Sequence, residues 1–413
     1  MLTHSSRLLS YCLLAALVVP AFASDAPQFR GPDRDGQFPA GNLLTSWPEG
    51  GPALAWETDR IGMGYASVST DGEVLYIPGM LNEDDGYLFA LDLNGKELWR
   101  LNYGKETTDK MAPGARSTLT IDGRRGYLLS GLGDLFCIDL DRQKIDWQIN
   151  TLKRFNGEQI QWALAESPLV DDTRIYTMPG GPDAAVVALD KTSGETIWTS
   201  EGFGDASAYC SPDIITHNGR RILISMTAKG LVGVDAENGT VLWTRDHPDR
   251  WGIHASTPVY ADGILYFVAG SKAGGVALKL SEDGSEITPI WSDTEMDTFH
   301  GGVVLLDGYL YGTTHRTGRE MMCLDFKTGE IVWRTKDIGE SALVYADGML
   351  YAYEGPTKGV VNLVKATPDG FERTGHFEIE KGTAKHWTHP TIADGRLYIR
   401  RGEYLFAYDI GAK

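Results

Sequence analysis

The sequence is poor in cysteine, carries no excess of positive charge and has only one long apolar run. Four cysteines in 413 residues exclude the dense disulfide frameworks of small secreted domains. The formal net charge of −18 argues against a nucleic-acid-binding protein, because phosphate binding needs clustered Lys and Arg. The apolar run is too short to cross a bilayer, so we expect a chain that does not span a membrane.

That single apolar run belongs to a segment with the pattern of a secretory signal peptide. Arg7 precedes an apolar stretch from Leu8 to Pro20, and residues 21–23 form a small-x-small cleavage site. We therefore expect cleavage near Ala23 and a periplasmic or secreted location.

Helical periodicity is also missing, and one β-type pattern repeats instead. Each unit has a short β run, an Asp-Gly turn, a Leu-Tyr run, a loop, an Ala-Leu-Asp run, a Gly-Glu turn and a closing Trp. A period of this length indicates an array of like units that bury one another's faces. The closing residues recur at intervals of 42 to 51 residues: Trp56, Trp99, Trp147, Trp198, Trp243, Trp291 and Trp333, with Phe377 where an eighth would fall.

Each unit predicts four antiparallel strands, which is the content of a propeller blade. There are eight Asp-Gly-type turns, but the last unit ends at Asp409 without a Trp strand. The unpartnered run Ala53–Trp56 is therefore expected to complete the eighth blade and close the ring. The predicted fold is all-β, an eight-bladed propeller of four-stranded antiparallel blades. Residues 53–413 form its one domain, and residues 24–52 form an N-terminal extension.

The repeat resembles that of the pyrroloquinoline-quinone-type (quinoprotein-type) propellers over essentially the whole mature chain. Its mark is the run Ala188–Trp198, seen again as Cys323–Trp333. In that family the closing Trp docks between neighbouring blades. Residues 28–36 also resemble the N-terminal signature of a secreted subgroup of mostly uncharacterised function. Members of the fold include quinoprotein alcohol dehydrogenases and a non-enzymatic lipoprotein of the outer-membrane assembly machine.

The cysteines of the mature chain are predicted to be structural. Cys137 and Cys323 occupy the place where other units have Ala90 or Ala188. That place calls for a small buried residue, and a buried thiol meets the need. Units 2 and 6 lie far apart in a ring, so a disulfide between these two residues is excluded by distance.

The face that carries the blade-to-blade crossings is the expected site, because the opposite face has only tight turns. Several residues there are not required by the repeat and are directed to the channel mouth. One interpretation is that they bond to one another and plug the axis, and the other is that they hold a ligand. The candidate residues are Arg116, Glu166, His254, His300, Glu340, Trp387 and His389.

A second set consists of basic residues in the loops between second and third strands. These form either a positive patch for a carboxylate-bearing ligand or ordinary solvated turns. Trp162, Trp251 and Trp387 in the crossings either stack on a planar ligand or wedge between blades. The basic residues are Lys229, Lys272, His315, Arg316, Lys358, Arg400 and Arg401.

Three functions remain open at this point. The resemblance implies a quinone-dependent alcohol dehydrogenase with pyrroloquinoline quinone and calcium, with Arg116, Glu166 and Trp387 at the cofactor. The chain lacks the adjacent cysteine pair and the Cys-x-x-Cys-His segment of those enzymes. We therefore favour a module, with no cofactor assured, that binds a small anionic ligand or an envelope protein. A carbohydrate-processing role would need paired acids, and Glu166 and Glu340 lie nearly opposite each other in the ring.

Overall fold

A computed structural model describes residues 25–412, in which eight separate four-stranded antiparallel sheets follow one another along the chain. The predicted signal peptide and its cleavage site lie outside the described residues. The first four blades contain these elements: β2 (Ser69–Thr70), β3 (Val74–Leu81), β4 (Asp85–Asp92), β5 (Glu97–Lys105); β6 (Thr120–Asp122), β7 (Arg125–Leu129), β8 (Asp134–Asp139), β9 (Lys144–Asn150), followed by α1 (Thr151–Phe155); β10 (Leu169–Val170), β11 (Arg174–Thr177), β12 (Val187–Asp190), β13 (Thr196–Thr199); β14 (Asp213–His217), β15 (Arg220–Met226), β16 (Gly230–Asp235), β17 (Val241–Asp246).

The other four blades have the same order of strands. They contain these elements: β18 (Val259–Ala261), β19 (Ile264–Ala269), β20 (Gly274–Leu280), β21 (Ile287–Asp293); β22 (Val304–Leu306), β23 (Tyr309–Thr313), β24 (Met321–Asp325), β25 (Ile331–Thr335); β26 (Ser341–Ala346), β27 (Met349–Glu354), β28 (Val360–Lys365), β29 (Arg373–Glu378); β30 (Thr391–Ala393), β31 (Arg396–Arg401), β32 (Tyr404–Asp409), with β1 (Ala53–Thr58). The predicted eight-bladed propeller is confirmed.

The ring closes as the sequence predicted. Strand β1 pairs antiparallel with β32 and so supplies the fourth strand of the last blade. Trp56 of β1 packs its ring over Gly95 of the first blade, where an added Cβ would lie 2.5 Å from the indole. The indole Nε1 of Trp56 donates to Leu93 O at 2.8 Å. This one strand therefore joins the two ends of the array and removes an exposed sheet edge.

The closing tryptophans dock between blades, and their pairing explains the small residues of the repeat. Trp333, for example, packs on Tyr311 of its own blade and donates to Thr367 O of the next blade. Its cross-strand partner is Cys323, and Trp147 is likewise paired with Cys137. A small residue opposite the indole leaves room for it. The thiols are buried, and burial raises the pKa of each to about 11.

The seventh blade departs from the prediction, because Phe377 does not occupy the tryptophan position. The residue in that register is Gly375, which pairs with Leu363. Trp47 of the N-terminal segment fills the space: an added Cβ on Gly375 would lie 2.6 Å from Trp47 Cβ. The Trp47 ring lies 6.0 Å from Tyr351, much as Trp333 lies 6.1 Å from Tyr311. The missing tryptophan is therefore supplied from elsewhere in the chain.

The same N-terminal segment enters the channel between the innermost strands. Arg30 is buried and donates to the carbonyl oxygens of Gly301, at 3.3 Å, and Val303, at 2.7 Å. Arg34 is also buried and donates to Ser167 O at 2.6 Å. Burial lowers the pKa of both guanidinium groups to about 10. Residues 28–36 therefore form a plug, which we call the axial plug.

Serine and threonine residues at the entry to the innermost strands join neighbouring blades. Ser67 N donates to Thr118 Oγ1 at 3.1 Å, Thr118 N donates to Ser167 Oγ at 3.0 Å, and Ser167 N donates to Ser211 Oγ at 2.9 Å. These hydroxyl oxygens accept hydrogen bonds from backbone N–H groups at positions that come before the regular strand pairing of each blade. The ring is hydrogen-bonded across blades at the level where the site lies.

Candidate functional site

A pocket of about 380 Å³ opens on the crossing face, the end of the ring that carries the blade-to-blade crossings. We call it the mouth pocket. Of the described residues that line it, none is Asp or Glu, although the chain has 56 of them. The lining is rich in aromatic rings and includes two arginines and three histidines: Phe29, Tyr65, Met111, Ala112, Arg116, Trp162, Ala165, Tyr209, Ser211, Trp251, Ile253, Ala255, Ser271, Phe299, His300, His315, Arg316, Trp387 and His389.

The floor of the mouth pocket is Phe29 of the axial plug. Its ring meets His389 edge-on at a centroid distance of 5.0 Å. The neighbouring Arg30 fixes this ring in place, because its guanidinium is bonded to carbonyl oxygens on the sixth and seventh blades. The channel below the pocket is thereby blocked, and the site is a shallow cup.

One wall of the pocket is held by a buried carboxylate behind it. Asp297 is fully buried and accepts hydrogen bonds from the backbone N–H groups of His315, at 2.8 Å, and Arg316, at 2.9 Å. It also accepts from Lys272 N at 3.0 Å and from Thr317 Oγ1 at 2.7 Å. An ionised carboxylate with several donors is a strong anchor for a loop. Asp297 thus positions the two basic residues of the sixth-blade loop.

This wall carries side-chain nitrogens that have no hydrogen-bond partner among the described residues, exposed on Arg316 and buried on His300 and Trp387. The guanidinium of Arg316 is exposed and engages no other group in the part of the chain that the structure describes. Trp387 Nε1 is buried and likewise has no partner among residues 25–412. His315 Nδ1 accepts from Ser271 N at 3.3 Å, which leaves its Nε2 to carry the proton. We call Arg316, His315, His300 and Trp387 the donor wall.

His300 connects the donor wall to an acid behind it. Its Nδ1 lies 3.2 Å from Glu340 Oε1, within ion-pair distance, although the geometry is not that of a hydrogen bond. Burial acts to raise the pKa of Glu340, but His300 and the nearby positive charges together hold that pKa below its ordinary value. Glu340 therefore faces the back of the histidine and not the pocket.

The wall on the other side consists of aromatic rings. Trp162 meets Trp251 edge-on at 6.2 Å and lies 6.3 Å from Tyr209. Tyr209 has φ +72°, a left-handed conformation that is costly for a bulky residue and is typical of functional sites. Trp251 is 47% exposed, and the Arg250 guanidinium lies 4.8 Å from its ring centroid. We call Trp162, Tyr209 and Trp251 the ring wall.

A family model described as outer membrane protein assembly factor BamB matches residues 84–335, more than half of the chain. The chain belongs to this family of quinoprotein-like propellers. The family prediction made from the Trp-ended repeat is thus confirmed. Comparison with curated protein sequences finds no significant match.

Solved structures share the fold at low sequence identity. BamB from Moraxella catarrhalis superposes with a TM-score of 0.62 at 14% identity, covering 87% of this chain and 100% of that one. Quinohemoprotein alcohol dehydrogenase from Comamonas testosteroni gives 0.66 at 11% identity over 94% and 81% of the two chains. A europium-containing methanol dehydrogenase gives 0.65 at 12% identity over 92% and 90%. The BamB-family propeller fold therefore occurs in a protein named as an assembly factor and in enzymes.

The mouth pocket of this BamB-family chain does not fit the calcium that the resemblance implied. Calcium takes six to eight oxygen ligands, with carboxylates prominent among them. The described residues that line the pocket include no carboxylate, and residues 25–412 contain no group of three acid, His or Cys side chains placed to hold a metal. The lining consists instead mainly of aromatic, basic and small side chains.

Four of the seven predicted site residues meet in the mouth pocket: Arg116, His300, Trp387 and His389. Arg116 is only 7% exposed and donates through Nε to Ala112 O at 2.9 Å. His389 Nε2 lies 2.9 Å from His300 O, and burial holds the pKa of His389 well below its ordinary value. His389 is therefore a neutral residue whose Nδ1 has no partner among the described residues.

The other three predicted residues are placed elsewhere. Glu340 stands behind His300, as described above. Glu166 is completely buried, where its Oε1 accepts from Met178 N at 2.8 Å and from the Thr177 hydroxyl. Each ring nitrogen of His254 lies 2.7 Å from a backbone carbonyl oxygen, which makes it a link between loops. The interpretation that the candidate side chains bond to one another holds for His300, which contacts Glu340 and His389, and does not hold for Glu166 and His254. The axis itself is occupied by Arg30 and Arg34 of the axial plug.

The predicted set of basic loop residues does not form one patch. Only His315 and Arg316 reach the mouth pocket. Arg400 is buried and donates to Pro78 O and Gly62 O, which ties the eighth blade to the first. The remaining members have structural or solvated roles: Lys229 is 72% exposed near Asp205, Lys272 is exposed, Lys358 is paired with Glu354, and Arg401 donates to Ala384 O.

The sequence interpretation missed three residues that shape the pocket: Phe29, Tyr209 and Asp297. Phe29 lies within residues 28–36, the segment that resembles an N-terminal signature, but the sequence of that segment does not indicate that the Phe29 side chain enters the channel. Tyr209 precedes Cys210 in a crossing and carries no distinctive pattern. Asp297 could have been suspected from its place in a crossing, since Glu106 takes a similar place before the second blade and also accepts a loop N–H, that of Gly131.

Proposed function

We propose that this protein is an exported propeller whose mouth pocket binds a small organic anion without covalent chemistry. The observation that supports this is the lining itself. Arg316 is a cation without a partner among the described residues, and Arg116 is ion-paired with Asp109 at 3.5 Å. His315 and His389 are neutral hydrogen-bonding groups. A chain with a net charge of −18 has gathered two arginines, three histidines and no described carboxylate at one opening. Acidic ligands are favoured where fixed cations and unused donors meet in a partly desolvated cup.

Cations at the rim add to the positive potential of this opening. Arg250 lies over Trp251, and the Lys385 ammonium lies 4.3 Å from the centroid of the Trp387 ring. Together with Arg316 they surround the pocket on two sides. Fixed charges of one sign around a cleft raise the local concentration of the opposite charge and speed its capture.

The ionisable groups of the pocket support binding more than acid-base chemistry. Burial lowers the pKa of His315 and lowers that of His389 strongly, so both side chains are neutral hydrogen-bonding groups near neutral pH. A general base would need a pKa near the working pH and an open path to the substrate. Neither histidine meets the first of these conditions.

The test uses 1-anilinonaphthalene-8-sulfonate, an apolar anion whose fluorescence rises in an apolar site, and its uncharged relative N-phenyl-1-naphthylamine. We expect the sulfonate to bind the purified protein and Arg316→Ala to weaken it roughly tenfold, since one charge-assisted contact is lost. Lys229→Ala is the matched control, because Lys229 lies on the same face outside the pocket. Equal binding of both probes, or an unchanged affinity in Arg316→Ala, contradicts the proposal.

An envelope protein is the second partner that the fold allows. The specific observation is an apolar rim beside the pocket, where Met111 is 49% exposed and Trp251 is 47% exposed. Exposed apolar side chains around a cavity are typical of protein contacts. Export itself is tested by N-terminal sequencing of the secreted or periplasmic protein, which is expected to begin just after Ala23.

A quinone-dependent dehydrogenase is the alternative that the structural likeness to alcohol and methanol dehydrogenases brings in. Mixing the protein with pyrroloquinoline quinone, with and without calcium, tests it. A bound chromophore and dye-linked alcohol oxidation that are both lost in Arg116→Ala and kept in Lys229→Ala would favour the enzyme. Quinone bound equally with and without calcium, and without oxidation, would favour the binding module.

A further inference from the structure

A second cavity lies at the turn face, the end of the ring that carries the hairpin turns and faces away from the crossings. Its volume is about 620 Å³, and among the described residues it shares no lining residue with the mouth pocket. The inner strands of the fourth, fifth and sixth blades line one side of it, and residues of the axial plug line the other. We propose that this turn-face cavity binds a linear diamine, an apolar chain with an ammonium group at each end.

The charged lining of the turn-face cavity is acidic. Lys327 is the one basic residue among the described residues that line it, and this lysine is exposed in the turn between β24 and β25. Carboxylates that share a cavity repel one another, and a bound cation offsets that repulsion. A cation is therefore the class of ligand that this cavity favours. The five acidic residues of the lining are Asp33, Asp35, Asp213, Asp262 and Asp307.

Asp213 is the acid at the inner end of the cavity, and no cation is bonded to it. Protein encloses its side chain, yet within residues 25–412 its carboxylate accepts only from the N–H of the next residue, Ile214, at 2.8 Å. Arg34 is near enough to act on its charge, but the guanidinium donates instead to Gln28 and to Ser167 O. Burial raises the pKa of Asp213 to about 6, against the opposing charge of Arg34. An ammonium group placed beside Asp213 supplies the charge-assisted hydrogen bond that the protein does not make.

The acids lie at two levels of the cavity, and this spacing is the reason to propose a diamine. Asp213 follows Ser211-Pro212, and Val259 follows Thr257-Pro258 at the same place in the fifth blade. Asp262 comes three residues after Val259, in the hairpin turn, which corresponds to about 10 Å along a strand. Two ammonium groups about that far apart reach both levels, and the methylene groups between them contact an apolar lining. The apolar residues of that lining include Ile215, Pro258, Val259, Leu305 and Phe326.

The experiment compares three ligands of equal chain length by isothermal titration calorimetry: 1,8-diaminooctane, 1-aminooctane and 1,8-octanediol. The first has two ammonium groups, the second one and the third none. We expect the diamine to bind about tenfold more tightly than 1-aminooctane, and 1-aminooctane about tenfold more tightly than the diol, because each step removes one charge-assisted contact. Asp213→Asn should lower the affinity for the diamine about tenfold, to that of 1-aminooctane.

Asp262→Asn tests the outer level and has a matched control in Asp347→Asn. Both aspartates precede a glycine in a hairpin turn, with φ +50° and +48°, a conformation that asparagine adopts readily. Of the two, only Asp262 lines the cavity. Each substitution removes one negative charge from the chain. Asp262→Asn should weaken binding of the diamine about tenfold, whereas Asp347→Asn should leave it unchanged.

Three results would overturn the proposal. The first is a diamine that binds no more tightly than 1-aminooctane, and the second is an unchanged affinity for the diamine in Asp213→Asn. The third is an equal loss in Asp262→Asn and Asp347→Asn, which would mean that the diamine responds only to the overall negative charge of the chain. Asp262 is exposed in a turn, so its variant tests the site even if Asp213→Asn does not fold. None of these results bears on anion binding at the mouth pocket.

Discussion

At the scale of single residues, buried carboxylic acids differ in how many hydrogen bonds they accept. Asp297 is buried with many donors and organises a loop, whereas Glu166 is buried with few. Burial raises the pKa of Glu166 to about 7, against the opposing effects of its hydrogen bonds and of Arg34. Glu166 is therefore the acid whose burial makes stability depend on pH.

Glu166→Gln is expected to stabilise the protein at pH 8 much more than at pH 4. The folded-state pKa of about 7 lies above the ordinary value of 4.5, so the native state holds this proton more tightly. Its contribution is fully present below pH 4.5 and is lost as the pH rises through 7. The loss amounts to about 3 kcal/mol. Thermal unfolding of both proteins at the two pH values measures it. A pH-independent difference would contradict the prediction.

Asp297→Asn is expected to weaken anion binding at the mouth pocket by roughly tenfold, because the loop that carries His315 and Arg316 loses its charged acceptor. Titration with 1-anilinonaphthalene-8-sulfonate measures the effect. The matched control is Asp205→Asn, since Asp205 accepts from Lys229 N at 2.9 Å in the fourth-blade loop, away from the pocket. Similar affinities in both variants would show that Asp297 does not position the site.

At the scale of elements, the N-terminal segment is part of the propeller and not an appendage. It pairs Ala26 with Thr70 of the first blade, plugs the channel with Arg30 and Arg34, and supplies Trp47 to the seventh blade. A segment that contacts three regions of a ring restrains them against separation.

Trp47→Ala is expected to destabilise the protein by about 3–5 kcal/mol, because a buried indole between blades is replaced by a cavity. Denaturant unfolding measures the change. Trp251→Ala is the control: its ring is 47% exposed, so its loss should affect ligand binding and leave stability nearly unchanged. Equal stability of the two variants would mean that Trp47 does not act as the seventh-blade tryptophan.

Gly302→Ala is expected to displace the axial plug. An added Cβ would lie 1.9 Å from Arg30 Nη1, and the glycine has φ +68°. Limited proteolysis should then cleave the N-terminal segment faster than in the unchanged protein. Gly308→Ala is the matched control, with φ +84° and open space around its added Cβ. If both variants resist protease equally, Gly302 is not needed to seat Arg30.

At the scale of the whole molecule, the ring depends on one strand from the other end of the chain. Strand β1 covers the edge of β32, and an uncovered edge of this kind pairs readily with other molecules. Closure therefore protects the protein from association as well as completing the eighth blade.

A chain that begins at Asp59 is expected to aggregate, because β32 then has no partner. A chain that begins at Pro52 keeps β1 and loses Trp47 and the axial plug, so it should be less stable but keep the same association state as the full chain. Size-exclusion chromatography with light scattering distinguishes the two results. A monomeric chain beginning at Asp59 would show that β1 is dispensable for closure.

The repeat made the fold predictable, but it gave little information about the site. The turns, the Trp spacing and the small residues opposite each Trp follow from local strand pairing, which recurs in every unit. The mouth pocket depends on crossings that differ from blade to blade. Their residues meet only when the ring closes. The sequence could therefore propose Arg116, His300, Trp387 and His389 as neighbours, but it could not show that Glu166 and His254 lie outside the pocket.

The sequence by itself determined the eight blades, the closing strand and the structural role of the tryptophans that end the units, since each is a consequence of a repeated local pattern. Only the tertiary structure decided that Trp47 replaces a missing tryptophan, that Phe29 closes the channel and that Asp297 holds Arg316 in place. These contacts join residues far apart in the chain, and no periodic pattern encodes a contact that occurs once.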